Sequence, residues 1–521
     1  MSIKDEIKWY NVILTGSGFL ADAYDLFVIN VVVDIMANLA YKQPLTTTVK
    51  ANVKSMALVG AFFGQIFFGA LADIIGRKKV FVSTCAMIII GAIMSASVVD
   101  SETWGIYSQL TFWRFVLGFG VGGEYPLSAS ITSESSSPAS RTKALAFVFS
   151  MQGFGALLCS FVLVIATQGI SNEGAQWRFA LAMGGLPMAI AFYFRWKMHT
   201  DSWEEHQLKQ HRQEVSKVHD MTIEMTAIQG EDVSRTNMEV FSPIQSINAT
   251  SNKKTNIDSP VIAPRRNRDY EHQSPPTSFM ETFQWFCNVI YAERHKLVGT
   301  AGTWFILDVV FYANGLFSGQ VSKTIGFVGT PKGEAISTLV LNSISLPGYL
   351  FTVYYCEKVG LKRIQEFGFV VIIIVFFVMA CLFHSLIKVH ALFIILYGVT
   401  FFFQNFGPNA TTYIIPSLIY TPEHKGTCHG ISAAAGKLGA IFGTYIFAEL
   451  TDSFCTENEC DDGDSETDVE KGLQLSVGIC CIFAFLGIFW SRSFVSLSYW
   501  TASLVERKES AASQPQTITV E

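Results

Sequence analysis

The chain has 521 residues, of which 50% are hydrophobic and only 15% are charged, and its mean hydropathy is +0.34. This composition is too apolar for an ordinary soluble protein. The formal net charge is -6, and the sequence has no basic run with interleaved aromatic residues, which argues against a nucleic-acid-binding protein. We therefore expect a protein that crosses a membrane several times.

Apolar runs of membrane-spanning length follow one another along the chain. VFVSTCAMIIIGAIMSASVV and VVIIIVFFVMACLFHSLI are two examples, and a hydrocarbon core needs about 20 helical residues. The first apolar segment is equally long and contains polar residues, so we interpret it as a retained helix rather than a signal peptide. The pattern predicts about twelve spans. They lie near 10–37, 52–74, 79–99, 106–129, 143–168, 178–197, 296–317, 334–355, 365–386, 389–413, 427–450 and 470–491.

A polar segment divides these spans into two sets of six. Residues 199–294 are charged and rich in Ser, Thr, Asn and Pro, so they cannot bury enough apolar surface to fold alone. We expect a six-helix half at 1–198, a disordered cytoplasmic linker at 199–294, a second six-helix half at 295–492 and a cytoplasmic tail at 493–521.

Basic residues predict the orientation of the chain. An even number of spans puts both termini on one side, and clusters of Lys and Arg fall in the loops of that same side. These residues are Arg77, Lys78, Lys79, Arg141, Lys143, Lys358, Lys362, Arg363, Arg492, Arg507 and Lys508. The positive-inside rule makes that side cytoplasmic. Lys42, Lys50 and Lys54 lie on the opposite side and break the pattern.

The two halves repeat each other in sequence. GALADIIGRKK, from Gly69 to Lys79, follows the second span, and CEKVGLKR, from Cys356 to Arg363, follows the eighth. Parallel repeats with a long central loop resemble the layout of the major facilitator superfamily, and GALADIIGRKK resembles its cytoplasmic signature. The resemblance implies an all-α membrane fold of that superfamily. It also implies a cytoplasmic gating motif at Gly69, Asp73, Gly76, Arg77 and Lys78.

Four ionisable residues lie well inside predicted spans. Asp25, Glu124, Asp308 and Lys437 would each cost several kcal/mol in a bilayer unless they are paired or face water. We interpret them as parts of a proton or ion pathway. The alternative is that each belongs to a buried ion pair between helices.

Helical spacing assigns faces to these residues. Trp304, Asp308 and Tyr312 are spaced by four residues and form one polar stripe on the seventh span. Tyr125 follows a Gly-Gly-Glu sequence, and Glu124 points about 100° away from it around the helix. We expect Tyr125 to face a central cavity and Glu124 to face a neighbouring helix or a proton route.

Polar amides and one lysine complete the candidate site. Gln152 and Asn405 are amides inside spans, either as ligands or as hydrogen bonds between helices. A donor-rich set with the single cation Lys437 suits an oxyanion better than a sugar. Because we find no motif for nucleotide phosphates, zinc or nucleophilic catalysis, we expect a transporter driven by an ion gradient, and no enzyme, cofactor or metal site.

Five motifs carry a closer resemblance, which covers both halves. GGEYPLSASITSE, ADAYDLF, SMQGFG, QNFGPNATTY and TCHGISAAAGKLGAIFG resemble the phosphate:proton symporters of fungi and plants. The resemblance implies a plasma-membrane importer of inorganic phosphate with protons. Its phosphate ligands would be Tyr125, Gln152, Trp304, Asp308, Tyr312 and Asn405, with Lys437 as the cation, and its proton-handling acids would be Asp25, Glu124 and Asp308.

The sequence departs from that family in two places. Glu124 stands where the family has aspartate, and Leu418 and Lys425 stand where it has a glutamate and an arginine-rich turn. Two other functions stay open: a symporter of glycerophosphodiesters or other organic anions, and a phosphate sensor that does not transport. Cys455 and Cys460 either form a local disulfide, if their loop is extracellular, or stay unpaired.

Overall fold

The computed structural model describes residues 9–197, 279–316, 330–452 and 465–495. Every regular element in these ranges is helical. The α-helices are α1 (Trp9–Ala37), α2 (Thr47–Ile75), α3 (Arg77–Ala96), α4 (Ile106–Ser135), α5 (Arg141–Gly169), α6 (Glu173–Lys197), α7 (Phe279–Leu316), α8 (Pro331–Val359), α9 (Leu361–Cys381), α10 (Phe383–Ile387), α11 (His390–Asn405), α12 (Pro408–Ile419), α13 (Lys425–Asp452) and α14 (Ser465–Trp490), and a π-helical turn follows at Ser491–Val495.

The predicted all-α, multi-span fold is confirmed. Nine helices of the described ranges are long and apolar enough to cross a membrane, with α11 and α12 counted as one span. The other three long helices, α1, α4 and α13, carry ionisable residues near their middles, among them Asp25, Glu124 and Lys437.

The sequence repeat appears as a repeated turn. Gly76 ends α2 and Gly360 ends α8, and both have a positive φ, of 95° and 91°. Only glycine adopts this conformation without strain, and the next helix begins one residue later in both cases. We call the end of the bundle that carries the first of these turns the Arg77 end, and the opposite end the Lys42 end.

The predicted linker boundary at residue 294 is wrong. Helix α7 begins at Phe279 and includes the last part of the predicted linker. Its first turns pack against the rest of the protein, since Val289 is 3% exposed and the ring of Trp285 lies 6.0 Å from that of His424. Residues 199–278, the loop with Cys455 and Cys460, and the tail beyond residue 495 lie outside the described residues.

The two halves, α1–α6 and α7–α14, meet mainly along two helix pairs. Helix α2 packs against α13, and α5 packs against α8. Small residues permit the first contact: a Cβ atom added to Gly69 would lie 2.5 Å from the Gly426 carbonyl oxygen, and one on Gly430 would lie 2.3 Å from that of Gln65. The halves are therefore joined along two separate helix contacts.

Candidate functional site

Tyr125 lies at the centre of a buried hydrogen-bond network between the two halves. Its hydroxyl donates to Asp22 Oδ2 at 2.6 Å and accepts from Gln152 Nε2 at 3.3 Å. The residues before it let α4 approach α2 closely, because a Cβ atom on Gly122 would lie 2.5 Å from the Ala61 carbonyl oxygen. Close packing of α4 on α2 thus holds the phenol at the interface between the halves.

Lys437 brings the only cation of this network from the second half. Its ammonium donates to the Tyr312 hydroxyl at 2.7 Å and to the Tyr125 hydroxyl at 3.4 Å, and it lies 3.9 Å from Asp308 Oδ2. It also lies 4.9 Å and 4.7 Å from the ring centroids of the two tyrosines. One carboxylate and two phenols therefore stabilise a cation whose side chain is 3% exposed.

Asn405 joins the network through a chain of amides. Its Nδ2 donates to Ser345 Oγ at 2.6 Å, and its Oδ1 accepts from Asn409 Nδ2 at 2.8 Å. Asn409 also donates to the Tyr349 hydroxyl at 3.1 Å. The Tyr349 hydroxyl in turn donates to Gln152 Oε1 at 3.3 Å. This chain connects α11 and α12 in the second half with α5 in the first.

Trp304 borders the network with its ring. Its centroid lies 6.0 Å from that of Tyr125, and His429 meets its face edge-on at 5.6 Å. The indole packs closely on α13, since a Cβ atom on Gly436 would lie 2.4 Å from Trp304 Cδ1. All seven sequence-predicted ligands thus belong to one connected buried cluster, each no more than 6% exposed.

Asp25 forms a separate feature on α1. The Arg114 guanidinium donates through Nη2 to the Asp25 backbone oxygen at 2.7 Å, and both residues are buried. Within the described part of the chain, neither carboxylate oxygen of Asp25 accepts a hydrogen bond. A buried carboxyl group next to a guanidinium, without its own hydrogen bonds, is suited to change its protonation state.

Glu124 faces away from the Tyr125 network. Its carboxylate forms a bidentate ion pair with Arg195 of α6, at 2.7 and 2.8 Å, and accepts a hydrogen bond from the Thr84 hydroxyl of α3 at 2.9 Å. Both charged side chains are fully buried. The geometry is that of a helix-to-helix ion pair, which is the alternative that the sequence left open for Glu124.

The predicted gating motif connects the two halves at the Arg77 end. Asp73 accepts hydrogen bonds from the backbone amides of Gly426 and Thr427, at 3.2 and 2.7 Å, which are unpaired donors in the first turn of α13. Arg77 donates to the Pro422 carbonyl at 2.8 Å and forms an ion pair with Glu134. A carboxylate of the first half thus caps a helix of the second.

The other motif residues and Lys425 lie around this cap. Gly69 provides the close approach of α2 to α13, and Gly76 provides the turn into α3. Lys78 lies half-buried in the first turn of α3. Lys425, one of the departures noted in the sequence, donates to Ser133 Oγ at 2.9 Å and so adds another contact between the halves.

Sequence reasoning missed three members of the central network: Asp22, Tyr349 and Asn409. Asp22 precedes Asp25 by three residues on α1, and this spacing is a signal that could have found it. Asn409 is separated from Asn405 by the break between α11 and α12 at Gly407. Periodicity across a break does not predict a shared face, so Asn409 and its partner Tyr349 had no comparable signal.

A buried, donor-rich cluster with one cation thus lies between the two halves of a multi-span helical bundle. A family model described as Major Facilitator Superfamily matches residues 15–444. Among curated proteins, the probable inorganic phosphate transporter 1-6 of Arabidopsis thaliana is 32% identical, covering 87% of this chain and 88% of its own length. The low affinity inorganic phosphate transporter 1 of Petunia hybrida is 33% identical, covering 85% and 83%.

Solved structures show the same fold. The proton:xylose symporter XylE bound to 6-bromo-6-deoxy-D-glucose has a TM-score of 0.66 at 17% identity, covering 94% of this chain and 96% of that chain. XylE of E. coli in a partially occluded inward open conformation has a TM-score of 0.60 at 18% identity, covering 94% and 100%. The chain therefore belongs to the inorganic phosphate transporters of the major facilitator superfamily.

Proposed function

We propose that this phosphate transporter is a proton-coupled importer that works by alternating access in the plasma membrane. Both termini, the segment between the halves and the Arg77 end would lie in the cytoplasm, as the basic loops predict. The observation that carries the proposal is the position of Lys437, buried between the phenols of Tyr125 and Tyr312 beside Asp308.

The charges of the site favour coupling to protons. With Asp22 and Asp308 ionised, the one cation Lys437 leaves the cluster negative, although it is buried in the middle of the protein. A phosphate anion would add further negative charge, which is expensive in a buried site. Protonation of a carboxyl group as phosphate binds removes this cost, so substrate and proton would bind together.

The remaining ligands suit a tetrahedral oxyanion that carries protons. Hydroxyl, indole and amide groups of Tyr125, Tyr312, Trp304, Gln152 and Asn405 offer donors, and Asp308 offers an acceptor for a phosphate hydroxyl. Asp308 Oδ2 makes no hydrogen bond within the described residues. A neutral sugar would offer no anionic oxygen to the ammonium of Lys437.

We assign the moving proton to Asp25 and Asp308 rather than to Glu124. Glu124 accepts two hydrogen bonds from Arg195 and one from Thr84, and its protonation would leave a buried guanidinium without its counterion. The carboxylate of Asp25 lies near Arg114 but accepts no hydrogen bond in the described chain. Glu124 would then stabilise the packing of α4 against α3 and α6.

Release into the cytoplasm requires the Arg77 end to open. The contacts of Asp73 with α13, of Arg77 with Pro422 and of Lys425 with Ser133 would break as the halves separate. They are polar contacts near one end of the bundle, and water would have to replace them as that end opens. This supports alternating access around a site that stays in place.

A carrier of glycerophosphodiesters is the second candidate that the sequence raised through Glu124. The carboxylate of Glu124 points to Arg195 and does not line the network around Tyr125, so the change from aspartate does not enlarge the site. A competition assay separates the two cargoes: glycerophosphocholine should not displace phosphate from a site this enclosed. The sensor hypothesis predicts binding of phosphate without uptake.

The decisive experiment is uptake of radiolabelled phosphate into proteoliposomes with and without an inward proton gradient. We expect accumulation above equilibrium only with the gradient, and none in Asp308→Asn. Asp100→Asn, which changes an exposed carboxylate of a loop at the Lys42 end, is the matched control and should transport normally. Equal accumulation of phosphate with and without the proton gradient, or normal uptake by Asp308→Asn, would overturn the mechanism.

A further inference from the structure

Two adjoining cavities lie between the central site and the Lys42 end. Both are lined by Phe27, Asn30 and Gly315. The first also reaches Tyr349 of the central network, and the second reaches Tyr312 on one side and Lys54 on the other. A continuous series of lining residues therefore leads from the central ligands towards the Lys42 end.

Lys54 belongs to a charged group that the proposed transport mechanism has not used. Lys50, one turn before it on α2, forms an ion pair with Asp34 of α1, and Lys54 attracts the same carboxylate. Glu334 of α8, in the other half, lies beside Asp34. Lys50 and Lys54 thus bring two cations to the same carboxylate, and Lys54 lines the second cavity.

Asn30 provides a polar group inside both cavities. It is 9% exposed, and within the described residues its Oδ1 accepts no hydrogen bond. Its amide can donate a hydrogen bond to a phosphate oxygen and accept one from a phosphate hydroxyl. A buried amide with an unused acceptor is costly unless a ligand or water binds there.

Tyr312 connects this cavity to the central site. Its hydroxyl accepts the hydrogen bond of Lys437, so its own proton is available to a group on another side. The same residue lines the second cavity. An anion held near Lys54 could therefore be passed to Lys437 without losing contact with Tyr312.

We propose that Lys54, Asn30 and Tyr312 form an outer subsite that holds a protonated phosphate anion before it reaches the central site. The subsite rests on the proposed import of phosphate from the Lys42 end. Lys54 supplies the attraction, Asn30 selects an anion that can donate as well as accept, and Tyr312 passes it inwards. Its main effect is on the capture of phosphate at low concentration rather than on the rate of the loaded carrier.

The test compares two lysines at the same end of the protein. Lys54→Gln removes the cation of the subsite, whereas Lys42→Gln removes an exposed lysine that pairs with Glu102 and lines neither cavity. In gradient-driven uptake by proteoliposomes, we expect Lys54→Gln to raise KM roughly tenfold and to leave the maximal rate within about twofold. Lys42→Gln should leave both unchanged, and Lys54→Arg should restore most of the lost affinity.

The outcomes separate the subsite from the proposed function. If the unaltered protein takes up phosphate but Lys54→Gln and Lys42→Gln have equal KM values, the outer subsite is overturned and the proposed import function stands. Absence of uptake by the folded, unaltered protein would overturn the importer itself. If Lys54→Gln does not fold, Asn30→Leu gives the same comparison. We then expect a raised KM for Asn30→Leu, and an unchanged KM would overturn the subsite.

Discussion

The Asp73 carboxylate accepts a hydrogen bond from the backbone amide of Thr427 at 2.7 Å, and a second from the Thr427 hydroxyl at 2.8 Å. A side chain of the first half therefore fills the role of the capping residue for α13 in the second half. Capping carboxylates also interact favourably with the positive end of the helix dipole. This relationship is one of the polar contacts that hold the Arg77 end closed, together with those of Arg77 and Lys425.

Replacing Asp73 with alanine should therefore favour the state that is open at the Arg77 end. Loss of a helix cap costs about 1 kcal/mol, which corresponds to roughly a fivefold change in a two-state ratio. The measurement is labelling of a cysteine placed at Ser133, which is buried beneath this closure, with a maleimide added on the Arg77 side. Asp100→Ala is the control, and equal labelling rates for the two variants would contradict the closure.

The Tyr312 hydroxyl should contribute directly to phosphate affinity. Tyr312→Phe removes the acceptor of the Lys437 hydrogen bond and one donor to the substrate. We expect the Kd for phosphate to rise about tenfold, since a hydrogen bond to a charged group contributes ~1.5–3 kcal/mol. Tyr24→Phe removes the hydroxyl of another buried tyrosine on α1, which donates to the Ala180 carbonyl, and should leave the Kd unchanged. If Tyr312→Phe and the unaltered protein have equal Kd values in a binding assay on purified protein, Tyr312 is not a phosphate ligand.

Glu124 and Arg195 should behave as a structural pair. Glu124→Gln leaves the buried guanidinium without its counterion. Breaking a buried ion pair in this way lowers the free energy of unfolding by about 3–5 kcal/mol, so we expect a large fall in thermal stability. The double variant Glu124→Gln, Arg195→Gln should recover part of that stability and still exchange phosphate across the membrane. A stable Glu124→Gln protein that exchanges phosphate but no longer responds to a proton gradient would instead make Glu124 a proton carrier.

Gly69 should be intolerant of even the smallest side chain. An added Cβ atom would lie 2.5 Å from the Gly426 carbonyl oxygen, a backbone atom that can move only if α2 and α13 separate. We expect Gly69→Ala to increase labelling at the cysteine placed at Ser133 and to slow uptake. Gly478→Ala, which meets nothing within 4 Å, is the matched control. A Gly69→Ala protein that matches this control in both assays would show that the contact is not required.

Periodicity and polarity were sufficient to predict the helices and most of the buried polar residues that the structure brings together. Charged residues inside apolar spans are rare, so Asp308 and Lys437 stood out, and the structure brings them to within 3.9 Å of each other. The stripe of Trp304, Asp308 and Tyr312 follows from helical spacing alone. These features are local in sequence, or are unusual enough in a membrane to be noticed singly.

What could not be predicted depends on contacts between distant segments. The partner of Glu124 is Arg195, 71 residues away near the end of α6, where an arginine looks like an ordinary residue at a membrane boundary. The early start of α7 at Phe279 is a different case, because its first turns, FMETFQWFCNVIYAER, are mostly apolar and carried a signal that we missed; Trp285 packs there against His424. Asp22 had a signal in its spacing, but its partner Tyr125 lies 103 residues away.

Helix α7 has 38 residues and contains no proline, so it is one rod of about 57 Å, nearly twice the thickness of a hydrocarbon core. Its outer part joins directly to the segment between the halves, and its inner part carries Trp304, Asp308 and Tyr312. The exposed turns near Met280 and the three candidate ligands therefore belong to one unbroken helix, so the end of the segment between the halves is joined to the candidate site by continuous secondary structure.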